Sequence, residues 1–158
     1  MPATIRPATP EDVPSILPMV AAICALHESW DPDKYPFLPD IVERYEHWLP
    51  LRAQDPRSVF LIAELSKAPA GYLIATIEDE IPIYRLKQFG FIHDMWVEPA
   101  HRGQGLARHL VDAAVARFAE LGVTQVRLDT AAANEIARRL FASCGFRVST
   151  TEMLRLIE

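Results

Sequence analysis

Apolar positions recur along this chain in two rhythms, one helical and one strand-like. Val13, Ile16, Leu17, Val20, Ile23 and Cys24 fall at three- and four-residue spacing, the mark of a helix with one buried face. Ahead of them, Thr9-Pro10-Glu11-Asp12 reads as an N-cap, a first-turn proline and an acidic third position, a variant of the capping box. A second amphipathic helix is predicted over IVERYEHWLPLRAQ (41–54), ending near Trp48 or shortly after because Pro50 disfavours continuation. HESWDPDKYPFLPD (27–40), with three prolines and many turn formers, reads as the loop between them. The rhythm then changes. SVFLIAEL (58–65) and GYLIATIED (71–79) are β-rich runs that SKAPA joins as a hairpin, and FGFIHDMWV (89–97) is the next strand. LARHLVDAAVARFAELG (106–122) returns to the helical period, with Leu106, Leu110, Ala114, Phe118 and Leu121 as its buried stripe and Gly122 at its C-terminal cap. TQVRLDT (124–130) is a strand, NEIARRLFASCG (134–145) a helix and FRVSTTEMLRLI (146–157) a final strand.

The predicted order is therefore β-α-α-β-β-β-α-β-α-β. It describes a single mixed α/β domain over residues 1–158, with a central, mostly antiparallel sheet flanked by helices and one βαβ crossover late in the chain. A chain of 158 residues is long enough to bury a sizeable core. Its formal charge of −5, without a basic stripe, argues against nucleic-acid binding. No apolar run reaches the ~20 residues that cross a bilayer, and MPATIRPATPED lacks the pattern of an export signal, so a cytoplasmic protein without a membrane partner is expected. Cys24 and Cys144 lie far apart in apolar settings and read as reduced structural thiols, with no metal knuckle.

The chemistry concentrates in VEPAHRGQGLARHL (97–110), where a strand runs into a helix through Gly103 and Gly105. A helix N-terminus exposes four unpaired N–H groups and about half a positive charge, which suits an anion. The two glycines let a phosphate approach that backbone, and Arg102 can add a guanidinium. Two familiar phosphate loops are excluded. The lysine followed by serine or threonine of a nucleotide P-loop is absent, and the third glycine of a dinucleotide fingerprint would fall at Arg108.

The run Val97-Glu98-Pro99-x-x-Arg102-Gly103-Gln104-Gly105-Leu106-Ala107 resembles the acyl-CoA signature of the GNAT superfamily of N-acetyltransferases, V-x-P-x-x-R-G-x-G-[LI]-[GA]. Asn134-x-x-Ala137-x-x-x-Phe141-x-x-x-Gly145-Phe146 is similar to that family's later block, N-x-x-A-x-x-x-Y-x-x-x-G-F. The order of elements agrees as well, so the resemblance covers essentially the whole chain. It implies acetyl-CoA as cosubstrate, a primary amine as acceptor (a small, possibly cationic molecule first, a protein or peptide second), no metal, and direct transfer in a ternary complex. A CoA-binding sensing module with little turnover is the reading from another class. Homodimers are common in the superfamily, although no segment here identifies a contact surface.

Carried onto this chain, the resemblance assigns the backbone amides of residues 102 to 107 to the CoA pyrophosphate. Met95, Trp96 and Val97 would pair with the pantetheine arm as one strand pairs with another. The family's strand carries a bulge and splays from the next parallel strand, here TQVRLDT, and the N–H of Val97, or that of a neighbour, would be the oxyanion donor. Asn134 would contact pantetheine, alongside its reading as a helix N-cap. Histidine at 93 and aspartate at 94 are candidate bases; polyamine acetyltransferases of the superfamily carry a proposed glutamate base at the His93 position, followed by an aspartate. Histidine has a suitable unperturbed pKa for that task. His101 is a weaker candidate in the loop. One departure stands out: Phe141 occupies the position of the family's usual general acid, a tyrosine, so Tyr72, Tyr84 or water would replace it, or transfer would proceed without a dedicated acid. The acceptor side is expected along HESWDPDKYPF and TIEDEIPIYRLKQFG, acidic at Glu28, Asp31, Asp33, Glu78, Asp79 and Glu80 and aromatic at Trp30, Tyr35, Phe37 and Tyr84.

Overall fold

The computed structural model describes residues 2–158. Five strands form one sheet in sequence order: β1 (Thr4–Pro7), β2 (Val59–Leu65), β3 (Ala68–Asp79), β4 (Gln88–Val97) and β5 (Val126–Leu128). The first four pair antiparallel and β5 joins β4 in parallel, as the late crossover predicts. Helices α1 (Val13–Trp30), α2 (Ile41–Gln54), α3 (Leu106–Glu120) and α4 (Glu135–Ser143) complete the domain.

Strand periodicity divides the core into two layers. Phe60, Ile62, Tyr72 and Ile74 face α1, whose Val13, Ile16, Val20 and Ile23 fill that side together with Leu49 of α2. Leu61, Ala63, Leu73, Ala75 and Ile92 face the other way, onto Leu106, Leu110, Val111, Ala114 and Phe118 of α3. Phe118 is fully buried and lies so close to β4 that a Cβ on Gly90 would come within 2.8 Å of its ring. A glycine there is what lets helix and sheet touch. The segment Pro10–Trp30, 21 residues, is apolar enough by composition to cross a membrane, yet its apolar face is the one packed on the sheet.

Several boundaries differ from the sequence expectation. The start of α1 does carry the capping box: the Asp12 carboxylate accepts from Thr9 N–H at 2.7 Å, in a single 3-10 turn that leads into the helix. That helix continues through His27 to Trp30, inside the predicted loop. Likewise α2 runs past Pro50 to Gln54, because Leu49 is sealed in the core and packing outweighs the one hydrogen bond proline removes. The hairpin turns at Ser66 and Lys67 alone, both at positive φ, so β3 starts at Ala68 rather than Gly71.

The predicted final strand does not form, and the order ends β-α-α-β-β-β-α-β-α. Beyond Phe146 the chain makes no backbone–backbone hydrogen bond among the described residues, and Val148, Met153 and Ile157 are exposed. Alternating apolar residues give a segment the tendency to be a strand, but a strand also needs an edge to pair with. Here β5 is three residues long, and the tail is tied instead through Glu152 to Lys34 in the loop after α1.

Candidate active site

The site is organised by an irregularity in β4. Pairing with β3 runs Leu73 to Met95 and Ile74 to Asp94, then jumps from Ala75 to Ile92, leaving His93 as an extra residue. An extra residue breaks the alternation of faces. Ile92 and Met95 lie on the α3 side, whereas His93 and Asp94, although adjacent, both meet α2. The bulge expected from the resemblance is thus the device that puts two consecutive polar side chains on one face.

Their environments differ. The Tyr45 hydroxyl donates to Asp94 Oδ2 at 2.6 Å. Burial raises the Asp94 pKa, and the Tyr45 hydrogen bond opposes that shift. Tyr45 itself is pushed well up, by burial first and by the facing carboxylate second. His93 stands more open, with 30% of its side chain exposed, and meets Trp48 and Phe91 edge-on. Its Nε2 lies 2.6 Å from Thr76 Oγ1, and the Thr76 hydroxyl donates to Glu78 Oε1 at 2.6 Å. Burial lowers the His93 pKa, partly offset by the Asp94 and Glu78 carboxylates, so the ring is neutral at pH 7.

The parallel ladder with β5 stops at Ile92 and Leu128, where β5 ends, so among the described residues no strand pairs with residues 93 to 97 on that side. Glu98 N–H donates to Ala70 on β3 at 2.8 Å. Extended backbone alternates its donors, so Val97 N–H points the other way, away from β3. Met95 turns onto the α3 core, and Trp96 turns to the α1 side under the Arg102 guanidinium at 4.7 Å.

The chain next makes a single 3-10 turn at Pro99–His101, which holds His101, and enters α3 through Arg102, Gly103, Gln104 and Gly105. Gly103 and Gly105 sit at φ of 76° and 82°, a region side chains disfavour. The first helical bond runs from His109 N–H to Gly105 carbonyl. Consequently the amides of residues 103 to 108 have no acceptor among the described residues, whereas the Arg102 amide, expected among the donors, is taken by the Pro99 carbonyl at 3.4 Å in the preceding turn. Arg102 Nε donates to the Val97 carbonyl at 2.9 Å, which ties the loop to the end of β4. Leu106 is buried and Ala107 packs against the same core, so the helix start is fixed from beneath.

At the far side, Asn134 Oδ1 accepts from Ala137 N–H at 3.1 Å, the predicted helix cap. Phe141 is 8% exposed, in the cluster with Val97 and Leu106, and packs edge-on to Phe146. Of the alternative hydroxyls, Tyr72 is fully buried on the α1 side and its hydroxyl has no partner among the described residues, while Tyr84 is 52% exposed in the β3–β4 connection. Burial pushes the Cys24 thiol up to about 11, consistent with an unreactive structural thiol. The acidic residues expected to line the acceptor side are partly engaged: Glu80 pairs with Arg127, Asp79 accepts from Gln88, and Asp31 caps the turn at Lys34. Tyr45, Trp48 and Thr76 were not legible as site residues. Tyr45 and Trp48 do lie three apart on α2, but only the sheet's position reveals which residues they cover.

Residues 22–146 match the Acetyltransferase (GNAT) family. The chain belongs to that family and is an acetyltransferase. It is similar to an uncharacterized N-acetyltransferase of Archaeoglobus fulgidus, 29% identical over 106 residues, 67% of this chain and 69% of that one. Among solved structures it resembles a GCN5-related N-acetyltransferase from Ralstonia eutropha, with a TM-score of 0.77 at 24% identity over 99% of both chains. A predicted acetyltransferase from Clostridium acetobutylicum, solved with acetyl-CoA, has a TM-score of 0.77 at 21% identity, covering 99% of this chain and 96% of that one.

Proposed function

We propose that this acetyltransferase moves an acetyl group from acetyl-CoA to the primary amine of a small molecule. The observation that carries the reading is the continuous run of donor groups along one path. The unbonded amides of residues 103 to 108 would take the CoA pyrophosphate at the start of α3. Pantetheine would lie along the open side of β4 from Val97 back toward the bulge, with Asn134 beside it. The Val97 N–H, turned away from β3, would stabilise the oxyanion of the thioester carbonyl. Two supports are the family membership and the likeness to a fold solved with acetyl-CoA.

Transfer needs a neutral amine. Its nitrogen attacks the thioester carbon, the C–O π bond becomes an oxyanion, and collapse breaks the C–S bond to release the CoA thiolate. The amine loses a proton to His93, whose ring is neutral at pH 7 and partly open to the site. Asp94 is a poorer base, because the Tyr45 hydroxyl already occupies its carboxylate. With phenylalanine at 141, the thiolate takes its proton from water. The test is acetyl-CoA-dependent thiol release across panels of small amines and of peptides. Turnover confined to peptides overturns the small-molecule acceptor, and no turnover with any amine overturns the proposed acceptor chemistry.

A further inference from the structure

We infer that Thr76 and Glu78 act as positioning residues for His93, holding the proton on Nε2 and presenting Nδ1 as the basic atom to the acceptor amine. This rests on the reading of His93 as the base. A neutral imidazole carries one proton and one lone pair, and its partners decide which nitrogen holds which. Around Nε2 the count of donors is decisive. A carboxylate can only accept, and the single hydroxyl proton of Thr76 goes to Glu78 Oε1 at 2.6 Å. The Thr76 oxygen then faces Nε2 at 2.6 Å with only lone pairs, and Glu78 Oε1 itself lies 3.4 Å from the same nitrogen. Two acceptors meet at Nε2, which must therefore be the N–H. Nδ1 has no hydrogen-bond partner among the described residues.

The arrangement exists only because of the bulge. Thr76 and Glu78 lie two apart on β3 and share the α1–α2 face by strand alternation. A regular β4 would carry His93 and Asp94 on opposite faces, so the bulge is what lets His93 reach Thr76 while Asp94 keeps Tyr45. Trp48 packs edge-on against the ring with centroids 5.6 Å apart, and Phe91 does so from the strand at 5.1 Å, which limits its rotation. The charged groups that act on the ring are Asp94 on β4 and Glu78 on β3, and the Tyr45 hydroxyl of α2 reaches only Asp94.

The chain of contacts makes separable predictions. Long-range ¹⁵N–¹H correlation spectra of histidine-labelled protein read the tautomer directly, with the His93 signals assigned from His93→Gln. The parent is expected to show the Nε2–H form above the ring's pKa. Thr76→Val, close in shape, should mix the two tautomers and lower kcat by about 10²-fold, within what a positioned acid–base group contributes, with KM for acetyl-CoA unchanged. Thr76→Ser should restore both. Glu78→Gln keeps an acceptor for the threonine but removes a charge that raises the His93 pKa. Its kcat/KM profile should therefore move to lower pH while the tautomer persists. An Nδ1–H tautomer in the parent, or a Thr76→Val protein with unaltered tautomer and pH profile, overturns the relay. If the profile survives in His93→Gln, the base reading falls instead, and the catalytic role given to Thr76 and Glu78 falls with it.

Discussion

The loop over residues 102 to 107 and the bulge at His93–Asp94 belong to one continuous stretch of chain, yet they are built from opposite materials. In the loop the working groups are backbone amides, and side chains matter chiefly by their absence at Gly103 and Gly105. At the bulge the working groups are side chains drawn from β3, β4 and α2, and the backbone serves to turn two of them onto the same face. Damage should follow that division. The loop should be sensitive to an added Cβ and nearly blind to polar exchange at Gln104, whereas the bulge should respond to single atoms.

The largest effect is expected in Gly105→Val. Space is not the obstacle, since a Cβ there meets only His109 at 3.8 Å, but φ is 82° and a β-branched residue resists that conformation. Misdirecting two amides that bond a phosphate, each worth roughly 1.5–3 kcal/mol as a charged hydrogen bond, weakens CoA binding by about 10²–10⁴-fold. Calorimetry with CoA measures it, and unchanged affinity would remove the loop from the binding site. Second, His93→Gln lowers kcat/KM by about 10²-fold and abolishes the acidic limb of the pH profile. In the parent that limb should lie below the ordinary histidine value of about 6.5, because burial lowers the ring's pKa. CoA affinity should not change; if it falls together with activity, the two regions are not separate as described.

Tyr45→Phe probes the buried half of the bulge. It strips Asp94 of its donor, which destabilises the fold by about 1–3 kcal/mol at neutral pH. The sign of the pH effect follows from the Tyr45 bond, which lowers the Asp94 pKa against burial by favouring the charged form: acidification protonates Asp94 and removes that preference, so the deficit should shrink as pH falls. Denaturant midpoints at two pH values test this, and a deficit that grows in acid would contradict it. The smallest effect belongs to Phe141→Tyr. One added oxygen in a site 8% exposed should leave the fold intact and kcat within about threefold of the parent, or higher if the hydroxyl reaches the thiolate. Loss of folding would mean that position 141 is sealed in the core.

The two regions also differed in how far they could be read beforehand. Everything the loop needs lies within a few consecutive residues: two glycines, an arginine and a helix start. Local chemistry of that kind survives translation from sequence to structure, as do the capping box at Thr9–Asp12 and the buried stripe of α3. His93 and Asp94 could be named as candidates but not told apart, because their difference lies in partners distant along the chain. Tyr45 comes from 49 residues away and Thr76 from 17.

What the sequence by itself determined is therefore the set of local preferences: which segments are helical or extended, the mixed single-domain class, and the backbone nest at the head of α3. Tertiary structure decided the rest. It carried α2 through Pro50, because sealing Leu49 in the core outweighs one lost hydrogen bond. It left residues 146–157 outside the sheet despite their alternation, because a strand is completed by an edge and none here takes it. It also set the bulge in β4 against α2, since register is a property of paired strands and only pairing can place His93 and Asp94 side by side on one face.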